Sequence, residues 1–420
     1  MGLLRRVFGP RAHTGSVKDV TSRSPHEVDP REVGLTRRDV ESIWRKVELY
    51  YITALHPAIQ LCVRHRGEVI IDRAIGFARG ADPRDGEGAE RVPATPQTLF
   101  NLFSASKTIT AMLIHLLAER GQVCLDAPVA EYFPEFAARG KRNITLRHVL
   151  SHRAGIPRTL PSHLNLDKLS SAAHIASVMS STEPEAVPGR QLAYIAINGG
   201  FILAEVLRRV TGTDIKTFLQ QEVLDPLGFE HLSYGVCESD LDKVALESFT
   251  GPLIEVPFGR HVRQTLGMGC QDAVKTANDP RFVTGVVPAG NVYATANEVS
   301  RYYELLLRGG ELDGVRVFSP TTIARATRPE GEGFEIDRTI LLPIRYSMGF
   351  MLGGRRLSFF GPKTQRAFGH LGFTNVLTYA DPQRDMTVAL MNNGNPLLTP
   401  EMLLWLNITR TIAATIPGKR

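Results

Sequence analysis

Ser104 and Lys107 stand three residues apart where a polar loop runs into an apolar, helix-patterned stretch. Residues at that spacing share one helix face, so a hydroxyl and an amine can point into the same cleft. The first turn of a helix also leaves its amides unpaired. A serine placed there carries a donor for the oxyanion that forms when its oxygen attacks a carbonyl. Burial and the positive helix end both disfavour an ammonium on Lys107, which leaves a neutral amine able to act as base. The chemistry on offer is nucleophilic acyl transfer. Alone, Ser-x-x-Lys is short enough for chance to supply, and its plain reading is a capped helix with an exposed lysine. Ser106 is no substitute for Ser104, because the residue three further on is Ile109.

Other chemistries lack their residues. No Gly-x-Ser-x-Gly elbow, P-loop or Gly-x-Gly-x-x-Gly turn occurs, so neither an α/β-hydrolase nucleophile nor a nucleotide site is indicated. Cys62, Cys124, Cys237 and Cys270 lie far apart and the histidines form no His-x-His or His-Glu-x-x-His pair; no metal, cofactor or disulfide framework is expected. Ser151-His152-Arg153 offers a serine beside a histidine, but chain neighbours seldom face each other, and a structural turn is the expectation.

The elements that must position Ser104 and Lys107 can be read from periodicity. Thr36 and Asp39 form a capping box, after which Val40, Ile43, Trp44 and Val47 fall on one helical face. Ile59, Leu61 and Val63 alternate with polar or small residues, Arg66-Gly67 reads as a turn, and 68–74 as the returning strand. Ile109, Met112, Leu113 and Leu116 then mark a buried helix that Gly121 ends. Alternation returns at 346–352, 365–370, 376–380 and 386–391, read as adjacent antiparallel strands. A last helix starts at Thr399-Pro400-Glu401 and turns Leu404, Trp405, Ile408 and Ile412 to one side.

These elements predict an α+β fold: an antiparallel sheet flanked by N- and C-terminal helices, formed by 36–120 and 286–420, with a mostly helical domain, 121–285, inserted between them. The net charge of +6 is concentrated at the front, so 1–35 is expected to be a basic, flexible tail that could touch anionic lipid. No aromatic interleaving suggests nucleic acid. The N-terminus lacks a secretory apolar run and no stretch is long enough to span a bilayer, so a cytoplasmic protein, at most peripheral to a membrane, is expected.

The text around the serine, PQTLFNLFSASKTITAMLIHLLAERG followed by ITLRHVLSHRAGIP, resembles the first motif region of class C β-lactamase-like, penicillin-recognising serine hydrolases. LAYIAINGGFILAEVLRRVTG is similar to their second region, above all as found in family VIII carboxylesterases, and AFGHLGFTNVLTYADP to the third. The likeness runs from about Ala58 to Gly394 in the same motif order. It implies Ser104 as nucleophile, Lys107 as its partner and Tyr194 as the second-motif tyrosine, whose phenol, held beside an amine, would ionise more easily and relay a proton. Aligning instead on Asn198 would put Ala196 at the tyrosine position. The third motif becomes His370-Leu371-Gly372, with Gly372 letting substrate approach the strand, the Phe373 amide as second oxyanion donor, and His370 available to Tyr194 or a substrate oxygen.

Two departures bear on substrate. The resemblance leads one to expect Tyr-x-Asn and Lys-Thr-Gly, and both are changed, removing an amide and a cation that would hold a β-lactam or peptide. A small-molecule ester, cleaved by an esterase or lipase, suits the site better, with β-lactam or D-amino-acid peptide hydrolysis as the alternative. Oligomeric state is not legible.

Overall fold

The computed structural model describes residues 9–252, 258–356, 358–373, 375–396 and 399–419. Its centre is one antiparallel sheet of ten strands: β1 (Thr21–Arg23), β2 (Ala58–His65), β3 (Glu68–Arg79), β4 (Val92–Pro93), β5 (Glu335–Ile336), β6 (Pro343–Tyr346), β7 (Met351–Leu352), β8 (Phe368–Leu371), β9 (Leu377–Asp381) and β10 (Met386–Asn392). The spatial order is β1-β3-β2-β10-β9-β8-β7-β6-β5, with β4 also on β3. The two ends of the chain thus meet where β2 pairs with β10, Ile59 opposite Asn392 and His65 opposite Met386.

Pleating divides the core in two. Ile59, Leu61 and Val63 join Val388 and Leu390 on one face, against Val40, Ile43, Trp44 and Val47 of α1 (Arg37–Tyr51) and Trp405, Ile408 and Ile412 of α5 (Met402–Thr415). The other face, carrying Ala58, Cys62 and Ala389, packs under α2 (Ser106–Glu119), α3 (Asn198–Thr211) and α4 (Ala296–Leu307). Both faces of the sheet are therefore covered, so the polar positions of the alternation are buried as well; Gln60 Nε2 reaches the Thr95 carbonyl at 2.8 Å. At the start of α1 the capping box forms as its sequence predicts: the Thr36 amide donates to Asp39 Oδ2 at 2.8 Å and the Asp39 amide to Thr36 Oγ1 at 3.2 Å.

Two expectations are corrected. The stretch 346–352, read as one strand, is the end of β6, a turn and β7. Gly349 at φ +117 makes that turn, and the Ser347 hydroxyl accepts the Phe350 amide at 3.3 Å. The expected flexible tail is, over its described part, built into the fold; Arg5 and Arg6 lie outside the described residues. β1 extends the sheet, Val20, Val33 and Leu35 are buried, and the arginines are neutralised, Arg11 by Glu401 at 2.7 Å and Arg23 by Glu27 at 2.6 Å. Enough apolar residues and carboxylates are interspersed among the cations to tie the segment down.

Candidate active site

Ser104 lies where the sheet meets the helical part of the chain. A short 3-10 turn, Phe103–Ala105, runs directly into α2, and from Thr98 to Leu117 Ser104 is the one residue that is not buried. The turn starts from Phe103, held at φ +46 with its amide on the buried Asn101 Oδ1 at 2.9 Å. Positive φ is strained for an aromatic residue and persists only where the surroundings fix it. Ser106 points elsewhere, its hydroxyl accepting the Val292 amide at 3.0 Å, which ties the helix to the small sheet of Phe100–Asn101, Ser233–Tyr234 and Val292–Ala294.

One turn along α2, Lys107 is 8% exposed and its Nζ lies 3.0 Å from Ser104 Oγ. The same nitrogen donates to the Ala196 carbonyl at 2.7 Å and to the Ala289 carbonyl at 2.9 Å. Desolvation pushes its pKa well below the usual lysine range, with no carboxylate to oppose it.

The segment before α3 brings Tyr194 to this pair. Lys107 Nζ sits 4.9 Å from the Tyr194 ring centre, and the phenol is hydrogen-bonded to Ser104. Burial drives the phenol's pKa up, the bond to Ser104 opposes this, and the charge of Asp337 adds to the rise. Contrary to the easier ionisation expected beside an amine, burial thus holds the Tyr194 phenol above its usual range rather than below it. Asn198 faces away, its Oδ1 2.8 Å from His163 Nδ1 and its Nδ2 bonded to the Arg158 carbonyl at 2.7 Å. Of residue 196, the carbonyl is what Lys107 meets.

The end of β8 closes the site. The Gly372 amide donates to the Val376 carbonyl at 2.8 Å, and any side chain at Gly372 would run into the Leu102 carbonyl, 2.5 Å from where its Cβ would lie. Phe373 follows, its ring 5.6 Å from that of Phe103 across the mouth. His370 is 1% exposed; its Nδ1 lies 2.6 Å from the Leu371 carbonyl and its Nε2 has no partner among the described residues. Burial is the largest cause and pushes its pKa down to about 3, so the imidazole is neutral.

Two supporting residues escaped the sequence reading. Ser151 bonds back to the Arg147 carbonyl at 2.7 Å, as a turn residue does, but His152 reaches the site. Its ring lies 4.6 Å from that of Tyr194 and 4.9 Å from that of Tyr346, its Nδ1 accepts the Ile195 amide at 3.2 Å, and its carbonyl accepts the Ala193 amide at 2.9 Å. Asp337, fully buried after β5, accepts three amides on Oδ1: Tyr194 at 3.1 Å, Thr339 at 2.8 Å and Ile340 at 3.1 Å. His152 thus grips the backbone on either side of Tyr194, and Asp337 the Tyr194 amide itself. No spacing links 152 or 337 to 194, so only the unused histidine itself was visible.

The wall beside Ser104 is apolar, formed by Leu164, Ile197, Leu266, Met268, Phe282 and Phe373, and none of the residues lining it is charged. Among the described residues no group of three or more His, Cys, Asp or Glu could hold a metal ion, and no helix is long and apolar enough to cross a membrane.

Residues 52–411 match the Beta-lactamase family. Among curated proteins, the chain is 30% identical over 356 residues to the esterase/beta-lactamase LipL of Mycobacterium tuberculosis, covering 81% of this chain and 77% of that one. Among solved structures, a penicillin-binding protein homolog from Caulobacter crescentus superimposes with a TM-score of 0.75 at 26% identity, over 91% of this chain and 99% of the other. A family VIII carboxylesterase does so with a TM-score of 0.73 at 26% identity, over 90% and 98%.

Proposed function

The chain belongs to the Beta-lactamase family, and we propose that within it the protein is a serine esterase acting on neutral carboxylic esters. Ser104 is the nucleophile. A neutral Lys107 has two N–H groups and one lone pair; with the Ala196 and Ala289 carbonyls as acceptors for the former, the lone pair faces Ser104 Oγ. It takes the hydroxyl proton as oxygen attacks the ester carbon. The amides of Ser104 and Phe373 receive the oxyanion. Tyr194, protonated, gives its proton to the departing alkoxide and regains one from Lys107, leaving an acyl-enzyme and a free alcohol. Water then attacks with the roles reversed, and the acid leaves. His152 and Asp337 hold the Tyr194 segment in place.

The observation that carries an ester as substrate is the state of His370. It occupies the position where a cation would grip a substrate carboxylate, yet it is buried and neutral, and the wall beside the serine adds no charge. A carboxylate brought there would lose its water without gaining a partner, which is a large penalty. Two of the relatives' names support this reading: one is an esterase/beta-lactamase, another a family VIII carboxylesterase. β-Lactam or D-amino-acid peptide hydrolysis at the same serine is the second reading, the former favoured by the double name of the first relative and the latter by a relative named a putative D-alanyl-D-alanine carboxypeptidase.

Steady-state turnover of short-chain nitrophenyl esters and of nitrocefin by the pure protein separates the two. The expected result is ester kcat/KM far above that for nitrocefin, abolished together with fluorophosphonate labelling in Ser104→Ala. Comparable nitrocefin turnover would favour the second reading, and ester turnover surviving in Ser104→Ala would remove both.

A further inference from the structure

At the sheet edge far from β1, the hairpin of β5 and β6 presents apolar side chains that the fold does not bury. Ile336 is 59% exposed, Leu341 55%, Leu342 42%, and Phe334, just before the hairpin, 44%. Leu341 also sits at φ +58, a left-handed conformation that disfavours a bulky side chain and that asparagine or glycine adopts readily. A strained leucine that gains no burial has no folding reason to be there, and unexplained strain points to a role outside the fold.

The same corner is basic. From Arg338 to Ala380 the sequence holds Arg338, Arg345, Arg355, Arg356, Lys363 and Arg366, and neither aspartate nor glutamate. Pairing brings three of them to one corner: Arg345 lies opposite Leu352 on β7, the Lys363 amide donates to the Arg355 carbonyl at 3.0 Å, and the Arg345 guanidinium lies 5.9 Å from the Phe334 ring centre. The acids nearest in sequence are mostly engaged, Glu330 with Arg147, Glu335 with Arg153, Asp381 with Arg384 and the buried Asp337 with backbone amides, leaving Glu332 exposed. In the N-terminal segment, by contrast, Arg11, Arg23, Arg31 and Arg37 all face carboxylates.

We propose that this corner is a docking surface for an anionic lipid bilayer. The hairpin tip sinks into the headgroup and acyl boundary while the arginine belt meets lipid phosphates, the combination that holds interfacial segments on membranes. A nucleic acid would use the cations but would leave the leucines in water. The docked hairpin carries Asp337, whose side chain holds the Tyr194 amide at 3.1 Å, so the membrane would lie beside the site's rim. This surface would meet a membrane whether or not the substrate is an ester.

The test is co-sedimentation of the full chain with phosphatidylcholine vesicles, with and without phosphatidylglycerol, across a salt series. Binding is expected to require phosphatidylglycerol and to weaken with salt. Arg355→Glu with Arg356→Glu should lower the partition coefficient more than tenfold, since each surface cation contributes and reversal counts it twice. Leu341→Asn, which relieves the backbone, should fold at least as well by circular dichroism yet bind several-fold less. Equal partitioning of the wild type on both vesicle types, or none on either, overturns the proposal. So do variants that bind as the wild type does, duplex DNA binding that survives Leu341→Asn while lipid binding is absent, or a loss confined to self-association by light scattering.

Discussion

Gly372→Ala tests the proposed geometry at its tightest point. A Cβ on Gly372 would lie 2.5 Å from the Leu102 carbonyl oxygen and 2.7 Å from Val376 Cβ, whereas real Cβ contacts essentially never fall under 3.0 Å. The strand end and the nucleophile turn must therefore separate by at least 3.0 − 2.5, or about 0.5 Å. The Leu102 carbonyl is not idle: it accepts the Ala105 amide at 3.0 Å, the bond that closes the turn around Ser104. The push thus moves the nucleophile away from the Phe373 amide. Misplacement by ~1 Å costs ~100-fold in rate, so half that shift on the same logarithmic scale costs ~10-fold, about 1.4 kcal/mol of barrier. Steady-state hydrolysis of a short-chain nitrophenyl ester, measured well below the variant's melting temperature, should show kcat down ~10-fold with KM within about twofold, and overpacking should lower stability by ~1–3 kcal/mol. Wild-type kcat in a folded variant would refute the rigid contact between β8 and the nucleophile turn, and a change confined to KM would refute the oxyanion role.

Lys107→Met should lower kcat/KM by ~100- to 10,000-fold, the usual worth of a general base. In the wild type the same lysine predicts a rising acid limb: its pKa is pushed well below 10.5 and only the neutral amine works, so the limb should lie well below the pH at which a free lysine titrates. The linkage has a definite sign. Between its depressed folded pKa and 10.5 the unfolded chain holds a proton on Lys107 that the folded chain does not, so denaturant titrations should show wild-type stability rising relative to Lys107→Met as pH climbs through that window towards 10.5. Asp337→Ala strands three amides and should cost ~2–3 kcal/mol of stability and ~10-fold in kcat; Asp337→Asn, which keeps an acceptor, should recover most of the kcat, and failure to do so would assign the effect to charge rather than position. Thr36→Ala removes one half of the α1 capping box and should lower stability by ~1 kcal/mol without touching turnover.

What the sequence yields depends on how local the cause is. The capping box at Thr36, the Arg66-Gly67 turn and the paired strands on either side of it are settled by residues within a few positions of one another, and the structure has them where periodicity places them. The Ser104–Lys107 pair is legible for the same reason, because the 3-10 turn and the first turn of α2, contiguous in the chain, set its 3.0 Å approach. The break within 346–352 is local too, yet alternation hides it: Gly349 turns the chain through a conformation that the hydrophobic pattern does not record. The N-terminal segment shows composition misleading in another way. Its cations suggest a free tail, but Glu27 serves Arg73 as well as Arg23, a pairing no local pattern announces.

The residues around Tyr194 show why the candidate site is only half legible. The tyrosine lies on a stretch with no helix or strand of its own between Leu192 and Ile197, so nothing local fixes its direction. Its position comes instead from the His152 carbonyl and ring on one side, the Asp337 carboxylate on the other, and the Ala196 carbonyl held by Lys107. Each is a backbone contact spanning tens of residues or more, and a backbone contact places few demands on the side chain between its partners. The same arrangement explains how Lys107 is held both buried and usable. Two carbonyls satisfy its donors without offering the negative charge that would keep it protonated. A carboxylate in either place would pair with an ammonium and end the proposed service as a base, which makes the absence, among the described residues, of an acid side chain acting on this amine as much a part of the proposed site as the serine.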